Sequence, residues 1–279
     1  MGLRIQNNIE AFNTHRQLTA TSSQASKSME KLSSGYRINR AADDAAGLGI
    51  SEKMRGQIGG LAQAQRNAQD GISLVQTAEG ALSEVHSMLE RVRDLKVQFN
   101  NGTLDANDQD AIGAEVLEIA KEVKNILDDT KFNGKTLFKT TDTFKFQVGA
   151  NQGETIDLAA ASFGVVSDLT ALAAVGTTAG AVAAFSSGAM SKIDALDDMI
   201  ENVSKVRGNY GAVQNRMEHR LTNLATYQEN LTASESRIRD VDMAAEMTKF
   251  TKLNILQQAG TSMLAQANQA PQGVLSLLR

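Results

Sequence analysis

The chain has 279 residues, a net charge of −4 and a pI near 5.5, so it lacks the basic surface that a main role in nucleic-acid binding requires. The absence of Cys excludes disulfides, thiolate metal ligands and thiol nucleophiles. One Pro, 4% aromatic residues and abundant Ala, Leu, Gln, Lys and Glu predict mainly long helices and only a minor sheet.

The N-terminal stretch MGLRIQNNIEAFNTHRQL becomes polar within a few residues of its start. It has neither the apolar core nor the cleavage site of a secretory signal, so we expect any export to use another route. A short apolar frame follows a helical spacing through Ile5, Ile9 and Phe12, and a second frame then steps by four and three residues. The members of the second frame are Leu18, Ser22, Ala25, Met29 and Leu32.

Three later windows repeat this rhythm. The first has Leu74, Ala78, Ala81, Val85, Met88, Val92 and Leu95, the second has Ile112, Val116, Ile119, Val123 and Ile126, and the third extends from Ile193 to Ile238. Stripes of this kind are typical of helices that bury a narrow seam against each other. At 1.5 Å per residue the third window alone predicts a rod of roughly 65 to 70 Å. We therefore expect a mainly α fold, an elongated antiparallel helical bundle or coiled coil.

The breaks between the windows predict where the chain turns. The stretch FNNGTLDAND, Phe99 to Asp108, has an Asn-Gly turn before an acidic helix start, so two helices should reverse direction there. Within 132–160 the apolar period changes to two, which predicts a small β-hairpin region. Residues 161–190 are a short variable segment of small residues. The uncharged run 169–191 lacks the large apolar side chains of a membrane span, and we interpret it as a flexible surface segment.

The C-terminal stretch carries apolar residues that one copy of the chain leaves uncovered. One helical face contains Leu253, Leu256, Gly260, Met263 and Ala267. Pro271 is expected to end this helix, because proline has no backbone N–H. A last apolar cluster follows at Val274, Leu275, Leu277 and Leu278. We expect the helices at the two ends of the chain to pair, and further neighbours to cover the remaining apolar surface.

No constellation of catalytic residues stands out in the sequence. His15, His86 and His219 fall in different windows, and none begins the H-E-x-x-H spacing of a metal-dependent hydrolase. The adjacent carboxylates Asp43 and Asp44 would diverge on a helix. We predict a protein that is not an enzyme and that uses no cofactor and no metal. A strong basic or apolar amphipathic helix is also missing, which argues against membrane insertion.

Several long stretches resemble bacterial flagellin. MEKLSSGYRINRAADDAAGLGISEKMRGQIGGLAQAQRNAQDGISLVQTAEGAL, residues 29–82, is similar to its N-terminal region, and ILQQAGTSMLAQANQAPQGVLSLLR is similar to its C-terminus. GNYGAVQNRMEHRLTNL and SRIRDVDMAAEMTKF resemble the stretch that leads into that C-terminus. Many flagellins insert large outer domains where this chain has only its small-residue segment, so the resemblance implies a short form.

The resemblance implies a structural subunit that polymerises into the flagellar filament for swimming motility. Residues 1–42 and 237–279 would form a terminal coiled-coil domain, the inner tube of the filament, and residues 43–236 the helical rod around it. The expected filament-core residues are Ile5, Ile9, Phe12, Leu18, Met29, Leu32, Leu253, Leu256, Met263, Leu264, Val274, Leu275, Leu277 and Leu278. In the joining loop, Arg37, Arg40, Asp43 and Asp44 are expected to pair across subunits, and a solvated charged turn is the open alternative.

The resemblance also implies partners and a location. The chain would be a secreted, extracellular homopolymer of the bacterial flagellum, exported by the flagellar type III apparatus with a chaperone on its C-terminal segment. It would contact the filament cap and the hook-filament junction proteins. The alternative is that the chain is itself a hook-filament junction protein or a type III needle-like secreted helical protein.

One further stretch points to host recognition. LERVRDLKVQ, Leu89 to Gln98, resembles the segment that Toll-like receptor 5 recognises in flagellins, with Arg91, Leu95 and Glu115 at the matching positions. A simpler interpretation leaves Leu95 in the helix seam and the charged residues on an outer helix face. Both interpretations remain open at the level of the sequence.

Overall fold

The structure is a computed structural model that describes residues 8–138, 143–159, 170, 173, 177–186 and 192–277, without the side chains of 270–277. In this part of the chain the helices are α1 (Ile9–Ser34), α2 (Ala45–Phe99), α3 (Ala106–Asp129), α4 (Thr178–Ser186), α5 (Ile193–Arg239) and α6 (Met243–Leu277). The prediction of a mainly α fold with long antiparallel helices is confirmed.

The ends of α1 are set by the residues that flank it. The Asn8 side chain accepts a hydrogen bond from the backbone N–H of Ala11 at 3.0 Å and so caps the start of the helix. Gly35 follows the helix in the left-handed conformation, with φ 76°, and its N–H donates to the Lys31 carbonyl at 2.9 Å. Glycine adopts this conformation without the steric penalty of a side chain, so it ends the helix at low cost.

The turn between α2 and α3 lies where the sequence predicted it. Asp105 accepts a hydrogen bond from the backbone N–H of Asp108, and the Asp108 side chain accepts one from the backbone of Asp105. This reciprocal capping box satisfies two donors at the start of α3.

Two small antiparallel sheets follow α3 in the described residues. Their strands are β1 (Lys131–Phe132) paired with β2 (Lys135–Thr136), and β3 (Phe144–Gln147) paired with β4 (Thr155–Leu158). The first pair turns through Asn133 and Gly134, whose φ angles of 49° and 78° suit the twist of a tight hairpin. The second pair is the predicted hairpin, with Phe144 opposite Leu158.

The chain divides into two units. Unit 1 contains Met1–Ile58 and Glu229–Arg279, and unit 2 contains Gly59–Gln228. The main hydrophobic core belongs to unit 2, and it includes the buried side chains of Leu82, Val85, Leu89, Val92, Val116, Val123, Phe185, Leu196 and Val203. A smaller cluster of Ala68, Val148, Ile156 and Met217 attaches the β3–β4 hairpin to α2 and α5. The heptad windows therefore mark the core as predicted.

Part of the segment that was expected to be a flexible surface segment is packed instead. Residues 178–186 form α4, in which the side chains of Ala181 and Phe185 are only 0% and 1% exposed. Gly113 of α3 admits this close approach, since a Cβ at that position would lie 2.8 Å from Val182. Burial of one aromatic ring stabilises a helix that its small residues alone would not indicate. The rest of 161–190, apart from residues 170, 173 and 177, lies outside the described residues.

The prediction that Pro271 ends the C-terminal helix is wrong, because α6 continues to Leu277. Proline removes the N–H that would bond to the carbonyl four residues earlier, that of Ala267. In the structure this carbonyl accepts a hydrogen bond from the side chain of Asn8 at 2.7 Å. A partner from elsewhere in unit 1 thus replaces the missing helix bond.

Candidate assembly surface and receptor face

The helices at the two ends of the described chain pack against each other antiparallel. Asn8, before the start of α1, bonds to Ala267 near the end of α6. Leu18 lies beside Gly260, where a Cβ would be 3.2 Å from the Leu18 Cδ1. Tyr36, just after α1, pairs with Asp240, just before α6. We call α1 and α6 the terminal helix pair; its existence was predicted from the apolar spacing.

The seam of the terminal helix pair is narrow and poor in large apolar residues. The buried residues of α1 are Thr21, Ala25 and Ser28, and those of α6 with described side chains are Leu253 and Ala267. Small side chains allow the helices to approach closely, but they remove little apolar area from water. The pair alone therefore gains little hydrophobic stabilisation.

Large apolar side chains of the pair point into solvent instead. Of the eleven large hydrophobic residues that are exposed in the described part of the chain, eight belong to α1 or α6. These outer apolar residues are Ile9, Phe12, Met29, Met243, Met247, Ile255, Leu256 and Met263, with exposed fractions from 46% to 69%. Such a concentration is typical of an interaction surface.

The predicted filament-core residues separate into two groups. Leu18, Leu32, Leu253 and Leu264 are buried or half-buried in the pair, whereas Ile9, Phe12, Met29, Leu256 and Met263 are outer apolar residues. Ile5 and Leu278, and the side chains of Val274, Leu275 and Leu277, lie outside the described residues.

The apolar residues predicted to share one face of α6 do not all lie in the seam, because some of them are exposed at the surface. Leu256 and Met263 were expected to share a face with Leu253, but Gln257 and Leu264 are the half-buried residues at those turns. Neighbouring helix positions differ by about 100°, so an apolar stripe two residues wide faces two directions.

Charged side chains of the loop between α1 and α2 form hydrogen bonds within unit 1 that stabilise the loop. The Asp43 carboxylate accepts hydrogen bonds from the backbone N–H groups of Arg40 at 3.1 Å and Asn39 at 3.2 Å, and these bonds hold the pKa of Asp43 below its usual value. Arg40 donates through Nε to Glu30 at 2.8 Å. Asp44 accepts from the N–H of Gly47 at 2.9 Å at the start of α2.

Arg37 bonds across to the end of α5 in unit 1. Its backbone N–H donates to the Arg239 carbonyl at 2.7 Å, and its guanidinium donates to the Ile238 carbonyl at 2.5 Å. Each of the four predicted linker residues thus has a partner within the chain, as a structured charged turn requires.

Arg239 is a structural residue that sequence reasoning missed. It is only 9% exposed, its guanidinium lies 4.8 Å from the centroid of the Tyr36 ring, and it donates to Glu52 at 2.5 Å. The bond from Arg239 lowers the pKa of the Glu52 carboxyl. A basic residue in the last turn of a helix was the available signal, but it does not identify a partner 187 residues away.

The candidate receptor face lies on α2 and α3 of unit 2. Arg91 donates to Glu115 through Nε at 2.8 Å and through a terminal nitrogen at 2.6 Å, and both side chains are about half exposed, at 55% and 44%. Leu95 is only 1% exposed and belongs to the hydrophobic core. Arg91 and Glu115 therefore form an accessible pair, whereas Leu95 is not available for direct contact.

Lys96, which the simpler interpretation of this stretch placed on an outer helix face, is buried. Its side chain is 2% exposed, its Nζ donates to the Phe185 carbonyl at 2.6 Å, and it lies 5.2 Å from the ring centroids of Phe99 and Phe185. Burial lowers the pKa of the Lys96 ammonium. The charge pattern of the helix could not reveal this position, because Phe185, which supplies the carbonyl and one of the two rings, comes from another part of the chain.

Among the residues that the structure describes, no group of three His, Asp or Glu side chains is arranged to hold a metal ion. In the same described residues, no helix combines the length and the hydropathy of a membrane span.

Comparisons with known proteins agree along almost the whole chain. Residues 5–143 match the family model of the bacterial flagellin N-terminal helical region, and residues 193–278 match that of the bacterial flagellin C-terminal helical region. A flagellin of Halalkalibacterium halodurans is 54% identical over 276 residues, which cover 99% of this chain and 99% of that protein. A flagellin of Bacillus subtilis is 50% identical over an alignment of 304 residues, covering 99% of this chain and 100% of that protein.

A solved structure of a putative flagellar hook-associated protein from Vibrio parahaemolyticus has a similar fold. It superimposes with a TM-score of 0.60 at 16% identity and covers 71% of this chain and 100% of that chain. At this identity the likeness concerns the fold alone.

Proposed function

Because this chain belongs to the bacterial flagellin family, and is therefore a structural subunit of the flagellar filament and not an enzyme, we propose that its terminal helix pair joins the copies into the polymer. The observation that carries this proposal is the placement of eight exposed large apolar residues on α1 and α6. An apolar side chain that stays exposed forgoes about 1.5 to 3 kcal/mol of burial. The same surface on neighbouring copies would recover this free energy, and a contact that does not close on itself produces a helical fibre.

We assign the inner-tube role to residues 1–42 and 237–279 and the outer rod role to residues 43–236. The assignment is supported by the contrast between the two parts. The rod residues bury a large apolar core within one chain, whereas the terminal pair has a seam of small residues and an apolar exterior.

Seeded polymerisation of Met263 variants tests the assembly surface. Met263 is 62% exposed on α6, so Met263→Gln should leave the unfolding of the monomer unchanged and raise the concentration needed for polymer growth by about tenfold. The matched control is Met263→Leu, which keeps an apolar side chain of similar size and should grow like the wild type. Equal growth of the Gln and Leu variants would contradict the proposal.

We propose that the terminal pair folds only when it docks into the growing filament, after export of the unfolded ends by the flagellar type III apparatus. The small buried area of the seam supports this, because ordering a backbone costs roughly 1 to 2 kcal/mol per residue and needs compensating burial. Nuclear magnetic resonance of the monomer should give sharp, undispersed signals for Gly2 to Leu32 and Leu253 to Arg279. Dispersed helical signals would contradict it.

We also propose three kinds of flagellar partner. An export chaperone would cover the C-terminal segment before assembly, and the filament cap and hook-filament junction proteins would contact the chain at the ends of the filament. The outer apolar residues of α6 are the surface that a chaperone would have to shield from premature contact with other copies.

Recognition by Toll-like receptor 5 is a second function, favoured by the exposed Arg91–Glu115 pair. A planar guanidinium held by two hydrogen bonds to one carboxylate offers a rigid, charged contact, and Arg is frequent at the centre of interfaces. Leu95 would contribute by positioning α2 from the core.

A receptor-reporter assay on monomers compares the contributions of Arg91 and its neighbour Arg93 to receptor signalling. Arg91→Ala should reduce signalling at least tenfold, because the loss of an interface Arg often costs about 2 kcal/mol or more. Arg93→Ala is the control, since Arg93 lies on the same helix, is 42% exposed and pairs with Asp197. Equal potency of the two variants would refute the assignment.

A further inference from the structure

The only proline of the chain lies inside α6, where it leaves one carbonyl without its usual donor. In an α-helix the carbonyl of residue i accepts the N–H of residue i+4, so the donor for Ala267 would be residue 271. Proline at 271 has no N–H to give. The Ala267 carbonyl is thus the acceptor that the helix cannot satisfy by itself.

Asn8 supplies that donor from the other end of the chain. Its Nδ2 lies 2.7 Å from the Ala267 carbonyl oxygen, across a sequence separation of 259 residues. Its Oδ1 accepts from the N–H of Ala11 at 3.0 Å. Both halves of one side-chain amide are used, and this requires an amide, because a carboxylate accepts but does not donate. Ala267 is 8% exposed, so little water is available to replace the bond.

We propose that Asn8 and Pro271 form a matched pair that sets the register of the terminal helices. The inference rests on the proposed role of the terminal helix pair in polymerisation. A seam of small residues repeated every three or four positions specifies register weakly, since a slip of one turn, about 5.4 Å, again places small residues opposite each other. The proline frees one carbonyl inside α6, before its last turn, and the observed register brings Asn8 to that carbonyl. Asn8 is a positioning residue for filament assembly in addition to capping α1.

A double-mutant cycle on the full chain tests this pairing. Asn8→Asp keeps an oxygen to cap α1 but loses the donor to Ala267. In the wild-type background this change should raise the critical concentration for seeded polymerisation about tenfold, the usual consequence of one unsatisfied buried acceptor. In a Pro271→Ala background residue 271 donates to Ala267 itself, so the same change should cost less than about threefold.

Engineered cysteines read the register directly. A Cβ at Gly260 lies 3.9 Å from the Leu18 Cβ, which matches the separation in disulfides, and the chain has no other Cys. In assembled filaments, the double variant Leu18→Cys with Gly260→Cys should crosslink within one chain under mild oxidation. Asn8→Asp should lower the yield of this crosslink at least threefold, and Pro271→Ala should restore it.

The outcomes separate the inference from the function on which it rests. Equal effects of Asn8→Asp in both backgrounds, on growth and on crosslinking, would overturn the register role and leave Asn8 as a helix cap. Failure of the wild type to extend seeds would overturn the proposed assembly role. In that event the terminal helix pair has no docked state, and the register role falls with the assembly role.

Discussion

The Nζ of Lys96 donates a hydrogen bond of 2.6 Å to the carbonyl of Phe185, in the last turn of α4. The ammonium lies 5.2 Å from the ring centroids of both Phe99 and Phe185, whose own rings meet edge to face at 5.6 Å. A cation near the C-terminus of a helix is favourable, because the last carbonyls carry partial negative charge. This contact attaches a segment of low sequence complexity to the core of unit 2.

Replacement of Lys96 by Met tests the bond while keeping an apolar stem. We expect Lys96→Met to lower the free energy of unfolding by about 1 to 2 kcal/mol, since the Phe185 carbonyl loses its charged donor. The control, Lys205→Met, removes a 64% exposed ammonium from α5 and should have no measurable effect. Urea unfolding followed by circular dichroism measures both, and equal midpoints would show that the Lys96 bond contributes nothing.

The same residue predicts a dependence on pH. Burial lowers the pKa of Lys96 in the folded chain below its ordinary value of 10.5. The unfolded state then binds more protons than the folded state between the two pKa values, so stability rises with pH in that window. Relative to Lys96→Met, the wild type should become more stable as the pH increases towards 10.5. A constant difference between the two proteins would contradict the lowered pKa.

Truncation of Phe185 tests the packing of α4. Its side chain is 1% exposed, so Phe185→Ala should cost about 3 to 5 kcal/mol through lost burial and the cavity that remains. Phe12→Ala is the opposite case, since Phe12 is 69% exposed on α1. It should leave monomer unfolding unchanged and weaken polymer growth. The prediction is wrong if both truncations destabilise the monomer equally.

The Arg239 contacts in unit 1 predict that lysine is a poor substitute. A lysine side chain at this position would be unable to present a planar guanidinium to the Tyr36 ring and to Glu52 together, so Arg239→Lys should cost about 1 to 2 kcal/mol. Arg55→Lys serves as the control, because Arg55 is 51% exposed and lies 3.6 Å from the same carboxylate. Thermal unfolding should distinguish the two variants, and identical midpoints would exclude a special role for Arg239.

Glu246 makes the terminal helix pair sensitive to acid. Burial acts to raise the pKa of this carboxyl, but the nearby Ser28 hydroxyl, the Lys249 ammonium that donates to Glu246 at 3.3 Å and the charge of Lys31 outweigh it, so the pKa falls below 4.5. A carboxyl whose pKa is lowered in the folded chain stabilises the fold fully at a pH above its ordinary, unfolded pKa. This stabilisation is lost as the pH falls through the pKa of the folded chain.

Filament dissociation between about pH 7 and pH 3 measures this contribution. Glu246→Gln should be less stable than the wild type at neutral pH, and the difference should close in acid. The control is Glu229→Gln, which alters an exposed carboxylate of unit 1 and should keep the wild-type profile. A difference between Glu246→Gln and wild type that stays constant with pH would refute the assignment.

The spacing of apolar residues along the sequence predicted most of the fold, because it indicates which residues of a helix must be buried. The windows around Val85, Val116 and Val203 became the core of unit 2, and the Asn-Gly turn before Asp105 lies where it was expected. Periodicity was less informative on α6, where the seam uses Leu264 and the surface uses Met263. The sequence alone does not show which of two adjacent apolar residues is buried, because this depends on where the partner helix packs.

The sequence by itself determined the helical class, the pairing of the two ends and, through its resemblance to flagellins, the family, because these depend on patterns within the chain. Only the tertiary structure decided the environments of Lys96, Arg239 and the Ala267 carbonyl. Lys96, Arg239 and the Ala267 carbonyl that faces Pro271 along the helix each have a hydrogen-bonding requirement that their own helix cannot meet, and the partner comes from a distant segment. The local sequence shows that such a group needs a hydrogen-bond partner from outside its helix. The packing of the chain determines which residue provides that partner.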